Sequence, residues 1–375
     1  MRIIYCYPEP LPSEMARSIQ VVNTCVSIAG LIDHVFLYIP GPYMNTDQLF
    51  SFYGIKKPVN MTVRFLKKSF GPIISNKIFN LRLKSIISKD SPDIIMTRHL
   101  KIASFLLGNP VPLIFEAHEI FGDKNRAKVK NLSMEKGVYE KADGITFLSR
   151  GLSNAMKKKY LFHALSSVIP SGTSLPIEQP QKNIDKKKST LVTYTGTSRY
   201  KWKGIPTLIK ALELLPGDII FEIVGQLDEE YQKNAILDQL ISTGNLTITG
   251  HLPPKDAILR LKQADIAVIP NSGMYPISKY YTCPLKLLEA MAAGTTIVAS
   301  DLPSIREIVS EDEAVMVTAD NPNALAEGIL KAAGNPILRK TLTKKAWQRV
   351  QDFSWDNRAK KIVELCEKVM IRASC

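Results

Sequence analysis

The chain has 375 residues, of which 45% are hydrophobic and 22% charged, a composition typical of a globular protein with a large buried core. It excludes an intrinsically disordered or a fibrous protein, and the length favours two or three domains. The net charge of +14 favours acidic partners, such as nucleotides, phosphorylated substrates, nucleic acid or an anionic membrane surface.

Short apolar runs rich in β-formers alternate with helical patterns along the chain, which indicates parallel sheets built from βαβ units. The predicted strands are residues 2–7, 34–39, 94–97, 113–116 and 145–148 in the first half, and 191–195, 219–224, 246–249, 266–269 and 296–299 in the second. We therefore expect an α/β protein with two doubly wound, Rossmann-like domains that face each other across a cleft. Ligands bind at the carboxyl ends of such strands.

The positive charge is concentrated in the first half of the chain. Residues 1–170 contain 23 Lys and Arg against 12 Asp and Glu, whereas residues 171–375 contain 26 against 23. The densest stretch, residues 64–89, has apolar residues near helical spacing and no acidic residue. Two interpretations remain open: a helix that packs its apolar face on the domain core, or an amphipathic surface that lies on anionic lipid.

The cysteines and the apolar runs indicate in which cellular compartment the protein is expected. The five cysteines are scattered and form no Cys-x-x-Cys, so neither a disulfide framework nor a zinc site is indicated. The apolar stretch at the start is interrupted by Pro8 and is too short for a signal peptide. No run reaches the roughly 20 apolar residues of a spanning helix. We expect a cytoplasmic protein whose membrane contact, where it occurs, is peripheral on the inner face of the cytoplasmic membrane.

The most informative segment leads into a predicted helix that ends at Gly294. Pro284 fits the first helical position, with the cap at Thr282 or Cys283. The N–H groups and the positive dipole end at the start of this helix suit a diphosphate. Glu289 lies inside the helix, where its carboxylate can accept two hydrogen bonds from a ribose diol.

This segment resembles the donor-binding motif of glycosyltransferase family 4, the glycosyl transferases group 1, which are retaining enzymes of the GT-B fold. Residues 288–301 follow the family's pattern of a Glu, an Ala-Met-Ala-x-Gly turn and a strand, and Glu289 matches the second Glu of the motif. Tyr281 stands at the first Glu position, and Cys283-Pro284-Leu285-Lys286 approximates the Ser-Pro-x-Lys of a variant within the family. The resemblance implies that the donor contacts Tyr281, Thr282, Cys283, Pro284, Leu285, Lys286 and Glu289.

A second stretch of the resemblance follows the strand at 191–195. The family has a Gly-Arg pair and then a Lys-Gly, whose cations hold the donor diphosphate. Here Gly196 is followed by Thr197 at the Arg position, and Lys203 matches the Lys. Arg199 or Lys201 could supply the missing charge, and the alternative that all of these are solvated loop cations stays open. The resemblance also implies donor contacts at Gly225, and at His251 and Leu252 in the turn that frames the nucleobase.

In the first half, a predicted strand ends in Glu116-Ala117-His118-Glu119, similar to the Glu-x-His-Asp found in the family. A histidine at a strand end is often only structural, but the resemblance implies a catalytic role for His118. Arg98 and Glu119 are expected on the acceptor side. Ser13, in the first loop, is expected there too, although it also fits a helix cap.

The resemblance implies a retaining glycosyltransferase that moves a sugar from a nucleoside diphosphate sugar to an acceptor hydroxyl, in polysaccharide or glycolipid synthesis. Residues 1–172 would bind a saccharide or lipid-linked acceptor, 173–350 the nucleotide sugar, and 351–375 would form a helix that crosses back to the N-terminal domain. The catalytic residues would be His118, Lys203 and Glu289, without a metal or another cofactor.

Two alternatives remain within the GT-B architecture, namely a catalytically silent partner subunit and a sugar-nucleotide epimerase. A nucleic-acid partner is not expected, because the sequence shows neither an RRM-like motif nor a helix-turn-helix signature. The basic N-terminal half leaves an anionic membrane surface open as a partner.

Overall fold

The computed structural model describes residues 1–41, 43–70, 73–74, 76–123, 129–181, 189–232 and 234–374. They form two compact units, the first made of residues 1–171 together with the last helix, and the second of Gly172–Ser354. The charged run at 185–188, which the sequence predicts to lie in a linker, falls outside the described residues.

Unit 1 is built on a parallel sheet of seven strands. Its strands are β1 (Arg2–Cys6), β2 (His34–Pro40), β3 (Met61–Leu66), β6 (Ile94–Thr97), β7 (Leu113–Ala117), β8 (Gly144–Phe147) and β9 (Leu165–Val168), and a short antiparallel hairpin consists of β4 (Ser69–Phe70) and β5 (Ile73–Ile74). The helices are α1 (Ala16–Ala29), α2 (Thr46–Phe52), α3 (Asn76–Asp90), α4 (Leu100–Leu106), α5 (Val129–Lys141), α6 (Arg150–Lys159) and α15 (Trp355–Ser374). The strand order β3-β2-β1-β6-β7-β8-β9 reverses between β1 and β6, and ligands of such sheets bind at the carboxyl ends of the strands beside this point.

Unit 2 is built on a parallel sheet of six strands. They are β10 (Thr190–Thr195), β11 (Ile219–Val224), β12 (Leu246–Ile248), β13 (Ile266–Ile269), β14 (Thr296–Ser300) and β15 (Val315–Val317). The helices are α7 (Ile205–Leu212), α8 (Glu229–Gln232), α9 (Ala235–Ser242), α10 (Pro254–Gln263), α11 (Leu285–Ala292), α12 (Pro303–Arg306), α13 (Pro322–Ala333) and α14 (Pro336–Val350). The order β12-β11-β10-β13-β14-β15 reverses between β10 and β13.

The predicted α/β class is confirmed, and the predicted strands are found within one or two residues of their expected ends. Three strands of the sheets were missed: β3, β9 and β15. β3 carries Arg64 among its apolar residues, β9 is only half-buried, and β15 has three residues. All three lack the fully buried apolar run that identifies the central strands.

The basic stretch 64–89 is not one helix, which corrects the helical spacing read from the sequence. It contains the end of β3, the short hairpin and most of α3. The interpretation of core packing is confirmed for α3, because Phe79, Leu83 and Ile87 are buried. Its lysines face solvent.

The last helix belongs to unit 1, where it packs on α1 and buries Ala359, Ile362 and Cys366. It begins at Trp355 rather than at residue 351, because a 3₁₀ turn at Gln351–Phe353 is followed by Ser354 in an extended conformation. Among the described residues no helix is long and apolar enough to cross a membrane. The four cysteines described are buried thiols that form no disulfide among the described residues.

Candidate functional site

The loops at the carboxyl edge of the unit 2 sheet are packed backbone against backbone. Gly196 follows β10 and Gly225 follows β11, and the amide of Gly196 donates to the carbonyl of Val224 at 2.9 Å. A Cβ on Gly225 would lie 1.9 Å from the carbonyl oxygen of Gly196, so only glycine fits there. Gly225 also forms a bridge with Gly250. These contacts hold the three loops at one edge of the sheet.

The three candidate cations in the loop after Gly196 differ in how deeply they are buried. Thr197 does not supply a charge, and its Oγ1 accepts a hydrogen bond of 3.1 Å from the amide of Arg199. Arg199 and Lys201 are exposed, whereas Lys203 is half-buried, with Nζ 4.3 Å from the centroid of the Trp202 ring. The local turn therefore carries Lys203, and not the other two cations, toward the interior.

Helix α11 starts one residue later than the sequence predicts. Pro284 is the cap and not the first helical residue, since its backbone is extended (φ −70°, ψ 118°) and its carbonyl accepts from the amide of Leu287 at 3.1 Å. The predicted stop is confirmed: the helix ends at Ala292, and Gly294 has the left-handed φ of 65°. The amides of Gly294 and Thr295 return to carbonyls of the last turn, as in a Schellman motif.

Lys286, in the first turn of α11, is a buried amine. The residue is only 6% exposed, and Nζ lies 4.4 Å from the centroid of the Tyr194 ring. Among the described residues Nζ has no hydrogen-bond partner. Burial, with a further contribution from the charge of Lys203, lowers the pKa of Lys286 well below that of an exposed lysine. The ring face of Tyr194 stabilises whatever positive charge remains.

Lys203 and Glu289 interact electrostatically, one from the loop after β10 and the other from the second turn of α11. Burial lowers the pKa of Lys203 to about 8, although the Glu289 carboxylate opposes the shift. Burial likewise raises the pKa of Glu289 to about 7, although Lys203 opposes it. Both groups thus change charge near neutral pH, as groups in binding and catalytic sites often do.

In unit 1 the corresponding edge of the sheet is centred on the Glu116 carboxylate, which is 1% exposed. Tyr5 donates to its Oε2 at 2.6 Å and Gln20 to its Oε1 at 2.8 Å, and Arg358 of α15 pairs with Oε1. Burial opposes ionisation, but the positive charge of Arg358 holds the pKa of Glu116 well below its usual range. The carboxylate is therefore charged and fixed on several sides.

His118 lies just beyond the end of β7, beside this carboxylate. Its Nε2 is 3.2 Å from Glu116 Oε1, without the alignment of a hydrogen bond. Neither ring nitrogen has a hydrogen-bond partner in the part of the chain that the structure describes. Burial, and then the charge of Arg98, lowers the pKa of His118 to about 4, although Glu116 opposes the shift. The imidazole is thus neutral at pH 7 and can accept or donate a hydrogen bond.

The other residues predicted on the acceptor side are Arg98, Ser13 and Glu119, all in unit 1. Arg98 donates to the carbonyl of Arg17 at 3.2 Å and to Gln20 Oε1 at 3.0 Å. Ser13 is not the cap of α1, which is Met15; its Oγ accepts from the amide of Met15 at 3.3 Å instead. Glu119 is half-buried.

Comparisons with known proteins fit this geometry. Residues 176–349, which make up most of unit 2, match the family described as glycosyl transferases group 1. This part of the chain is therefore similar to the members of that family. The chain is 26% identical to an uncharacterised glycosyltransferase of Methanocaldococcus jannaschii, over 78% of this chain and 80% of the relative. It is 28% identical to the phosphatidyl-myo-inositol mannosyltransferase of Mycobacterium leprae, over 58% of this chain and 59% of that enzyme.

Solved structures give the fold over nearly the whole length. Sucrose-phosphate synthase from Thermosynechococcus elongatus superposes with a TM-score of 0.77 at 19% identity, covering 99% of both chains. HepE of Anabaena in complex with UDP superposes with a TM-score of 0.73 at 15% identity, covering 98% of this chain and 100% of HepE. The chain therefore has the GT-B fold, and the matched family and the names of its relatives support a glycosyltransferase.

The predicted donor residues differ in how far they are exposed. His251 is exposed, and Tyr281, Thr282 and Leu252 are half-buried. The side chains of Cys283 and Leu285 belong to the buried core, so near a ligand they would contribute their backbone. The structure thus brings together Lys203, Lys286 and Glu289, and leaves Arg199 and His251 at the surface.

Sequence reasoning missed two features of these sites. Asn271 lies two residues after β13, is fully buried, and has no hydrogen-bond partner for either amide atom among the described residues. A polar residue just beyond a buried strand is the signal that could have drawn attention to it. Arg358 was missed because nothing in the pattern of α15 links it to Glu116, 242 residues away.

Proposed function

We propose that the protein is a retaining glycosyltransferase, which moves a sugar from a nucleoside diphosphate to a hydroxyl of a saccharide or lipid-linked acceptor. The observation that carries the proposal is the pair formed by Lys203 and Glu289, at the carboxyl edge of a parallel sheet and beside the start of α11. The products would be polysaccharides or glycolipids.

In this proposal, positively charged groups and a carboxylate bind different parts of the donor. Lys203 and the N-terminus of α11 bind the diphosphate, since both present positive charge where an anion must sit. Glu289, one turn further along the helix, accepts hydrogen bonds from the ribose diol. The backbone around Gly196, Gly225 and Leu252 frames the base and the phosphates.

The transfer proceeds on one face of the sugar. The bond between the anomeric carbon and the phosphate oxygen breaks, the acceptor oxygen bonds to the same carbon, and the acceptor proton passes to the departing phosphate. Lys203 stabilises the charge that develops on this phosphate, which is the main contribution expected of such a site. His118, as a neutral imidazole, orients the hydroxyls of the donor sugar and the acceptor.

The names of relatives support a nucleotide-sugar donor. HepE was solved in complex with UDP and glucose, and several relatives are named mannosyltransferases. In the part of the chain that the structure describes, no group of three or more His, Cys, Asp or Glu is placed to hold a metal ion. We propose that lysine and helix dipole neutralise the diphosphate.

The positive charge of the first half supports an acidic or lipid-phosphate acceptor, or the anionic membrane that carries it. On α3, Lys77, Lys84 and Lys89 are exposed, together with Leu81. Pelleting with anionic vesicles at low salt tests this proposal, and the absence of binding counts against it.

A screen of UDP- and GDP-sugars by thermal unfolding identifies the donor, because a bound ligand raises the Tm by mass action. The stabilising sugar nucleotide is then incubated with saccharide and lipid acceptors, and the anomeric configuration of the product is read by NMR. A product of inverted configuration overturns the retaining mechanism. An isomerised sugar nucleotide formed without acceptor favours an epimerase, and binding without turnover favours a silent subunit.

A further inference from the structure

The guanidinium of Arg358 joins the last helix to the carboxyl edge of the unit 1 sheet. Nη1 donates to the carbonyls of Ile169 and Pro170, each at 2.7 Å, Nε donates to Thr24 Oγ1 at 3.1 Å, and Nη2 pairs with Glu116. The residue is 3% exposed. A buried arginine with all three nitrogens engaged is held in one orientation.

The carboxylate that Arg358 meets does not act as an isolated charge. Glu116 also receives hydrogen bonds from Tyr5 on β1 and Gln20 on α1. Four elements, β1, β7, α1 and α15, thus converge on one carboxylate. Because burying an unpaired carboxylate is costly, the position of Glu116 depends on its partner cation.

His118 is the neighbour of this carboxylate for which we propose a contact with the substrates. The ring lies 3.2 Å from Glu116 Oε1, and its side chain is 12% exposed. The charged groups acting on it are Glu116 from β7, Arg98 from the loop after β6, and Arg358 from α15. The titratable groups around the carboxylate itself also include Tyr5 and Cys25, both protonated because burial raises their pKa values.

We propose that Arg358 is a positioning residue for His118, which it holds in one orientation and one charge state by fixing and neutralising Glu116. This inference rests on the proposed function insofar as His118 contacts the substrates. It assigns to the C-terminal helix a part in the site, beyond its contribution to the core.

A consequence for protonation follows from the geometry. With Arg358 in place, the imidazole is neutral, since burial and the neighbouring cations lower the pKa of His118 to about 4. Without the guanidinium, one cation is lost and Glu116 faces the ring unpaired. Both changes favour the imidazolium, so the pKa of His118 must rise, by about 1–3 units for a charge at this range.

The test is an NMR titration of the His118 ring in the whole protein. The His118 resonance is assigned as the one that is absent from the spectrum of His118→Gln. We compare Arg358→Met, which keeps the length of the side chain and removes its charge, with Arg358→Lys, which keeps the charge. The matched control is Arg372→Met, because Arg372 also ties α15 to unit 1, through the carbonyl of His163 at 2.6 Å, and does not touch Glu116.

We expect the titration midpoint of His118 to rise by about 1–3 pH units in Arg358→Met, and to stay near the parent value in Arg358→Lys and Arg372→Met. The proposal is overturned if Arg358→Met leaves the midpoint unchanged, or if Arg372→Met shifts it equally. Should Arg358→Met fail to fold, Glu116→Gln serves instead. Removing the anion must then lower the midpoint and change the ring's chemical shift, and an unchanged His118 resonance refutes the proposal.

Turnover is measured on the same variants. If the proposed function is also correct, kcat/KM of Arg358→Met falls at low pH, where His118 is protonated, and recovers as the pH rises above the new midpoint. A shifted midpoint with unchanged transfer leaves the role of Arg358 standing and rejects the role of His118. The two failures are thereby distinguished.

Discussion

The left-handed turn at Gly204 comes so close to Pro270 that a Cβ on Gly204 would lie 1.7 Å from the Pro270 carbonyl oxygen. Gly204 follows the 3₁₀ turn that carries Lys203, and Pro270 follows β13. This contact therefore fixes the Lys203 loop against the end of β13. The amide of Ser272 donates to the carbonyl of Trp202 at 3.0 Å and reinforces the contact.

Gly204→Ala is therefore expected to destabilise the protein by about 1–3 kcal/mol and to weaken donor binding, since both the positive φ of 77° and the close carbonyl oppose a side chain. Thermal unfolding and titration with the donor nucleotide measure the two effects. Gly217→Ala is the control, because a Cβ there meets only Asn245 Nδ2, at 3.9 Å. Equal changes of stability and donor binding in the two variants would contradict a role for the Gly204–Pro270 contact in positioning the Lys203 loop.

Lys203→Ala and Glu289→Ala should each lower kcat by about 10²–10³-fold and leave the fold intact, because each removes a group that stabilises or orients the departing nucleotide. Steady-state transfer assays with circular dichroism check this. Lys210→Ala, at an exposed lysine of α7, should change neither. Undiminished turnover in either site variant removes that residue from the mechanism.

The pH dependence of kcat/KM should be bell-shaped with a narrow optimum. In its proposed role Glu289 must be ionised, because only then do both of its oxygens accept hydrogen bonds from the ribose diol, so activity falls as the pH drops below its pKa of about 7. Lys203 must be protonated, so activity falls as the pH rises above its pKa of about 8. Lys203→Arg should remove the alkaline limb, because arginine stays charged throughout. An alkaline limb that persists in Lys203→Arg would assign it to another group.

Lys286→Met should make the protein more stable and a poorer binder of the donor. The folded state lowers the pKa of Lys286, mainly by burial, so the unfolded chain binds a proton that the folded chain lacks. The cost of this to the free energy of unfolding grows as the pH falls below the pKa of the lysine in the unfolded chain. The rise in Tm should thus be larger at pH 6 than at pH 9, by about 2–4 °C for each kcal/mol gained.

Lys331→Met, at an exposed lysine of α13, is the control and should leave the Tm unchanged at both pH 6 and pH 9. A lower Tm for Lys286→Met would mean that the contact with Tyr194 stabilises the fold by more than burial of the amine costs. Unchanged donor binding in the same variant would remove Lys286 from the donor site.

The central strands could be predicted because burial on both faces imposes a continuous apolar run. The predicted limits of the strands at 94–97, 219–224 and 266–269 agree with the structure. Strands at sheet edges escape this rule, because half-buried β9 and three-residue β15 contain too few buried residues to form a pattern.

The candidate donor site was predictable to the extent that it is local. Lys203 and Glu289 lie in motifs only a few residues long, and the charge of Glu289 contributes to the pKa of Lys203. Burial was not predictable: nothing in the sequence ranks Lys203 above Arg199, or shows that Lys286 rests on Tyr194, since these depend on how separate loops pack. The contacts of Arg358, with partners up to 334 residues away, lie beyond any local pattern.

Unit 2 is, in sequence, an insertion within unit 1. It begins and ends with two segments that lie side by side, where the amide of Thr173 donates to the carbonyl of Phe353 at 2.8 Å and Thr173 forms a bridge with Ser354. A fragment of residues 172–354 thus has adjacent termini and suits circular permutation. During synthesis, the ribosome finishes this inner unit before the helix that carries Arg358 emerges, so the outer unit must wait for its last helix to complete its core.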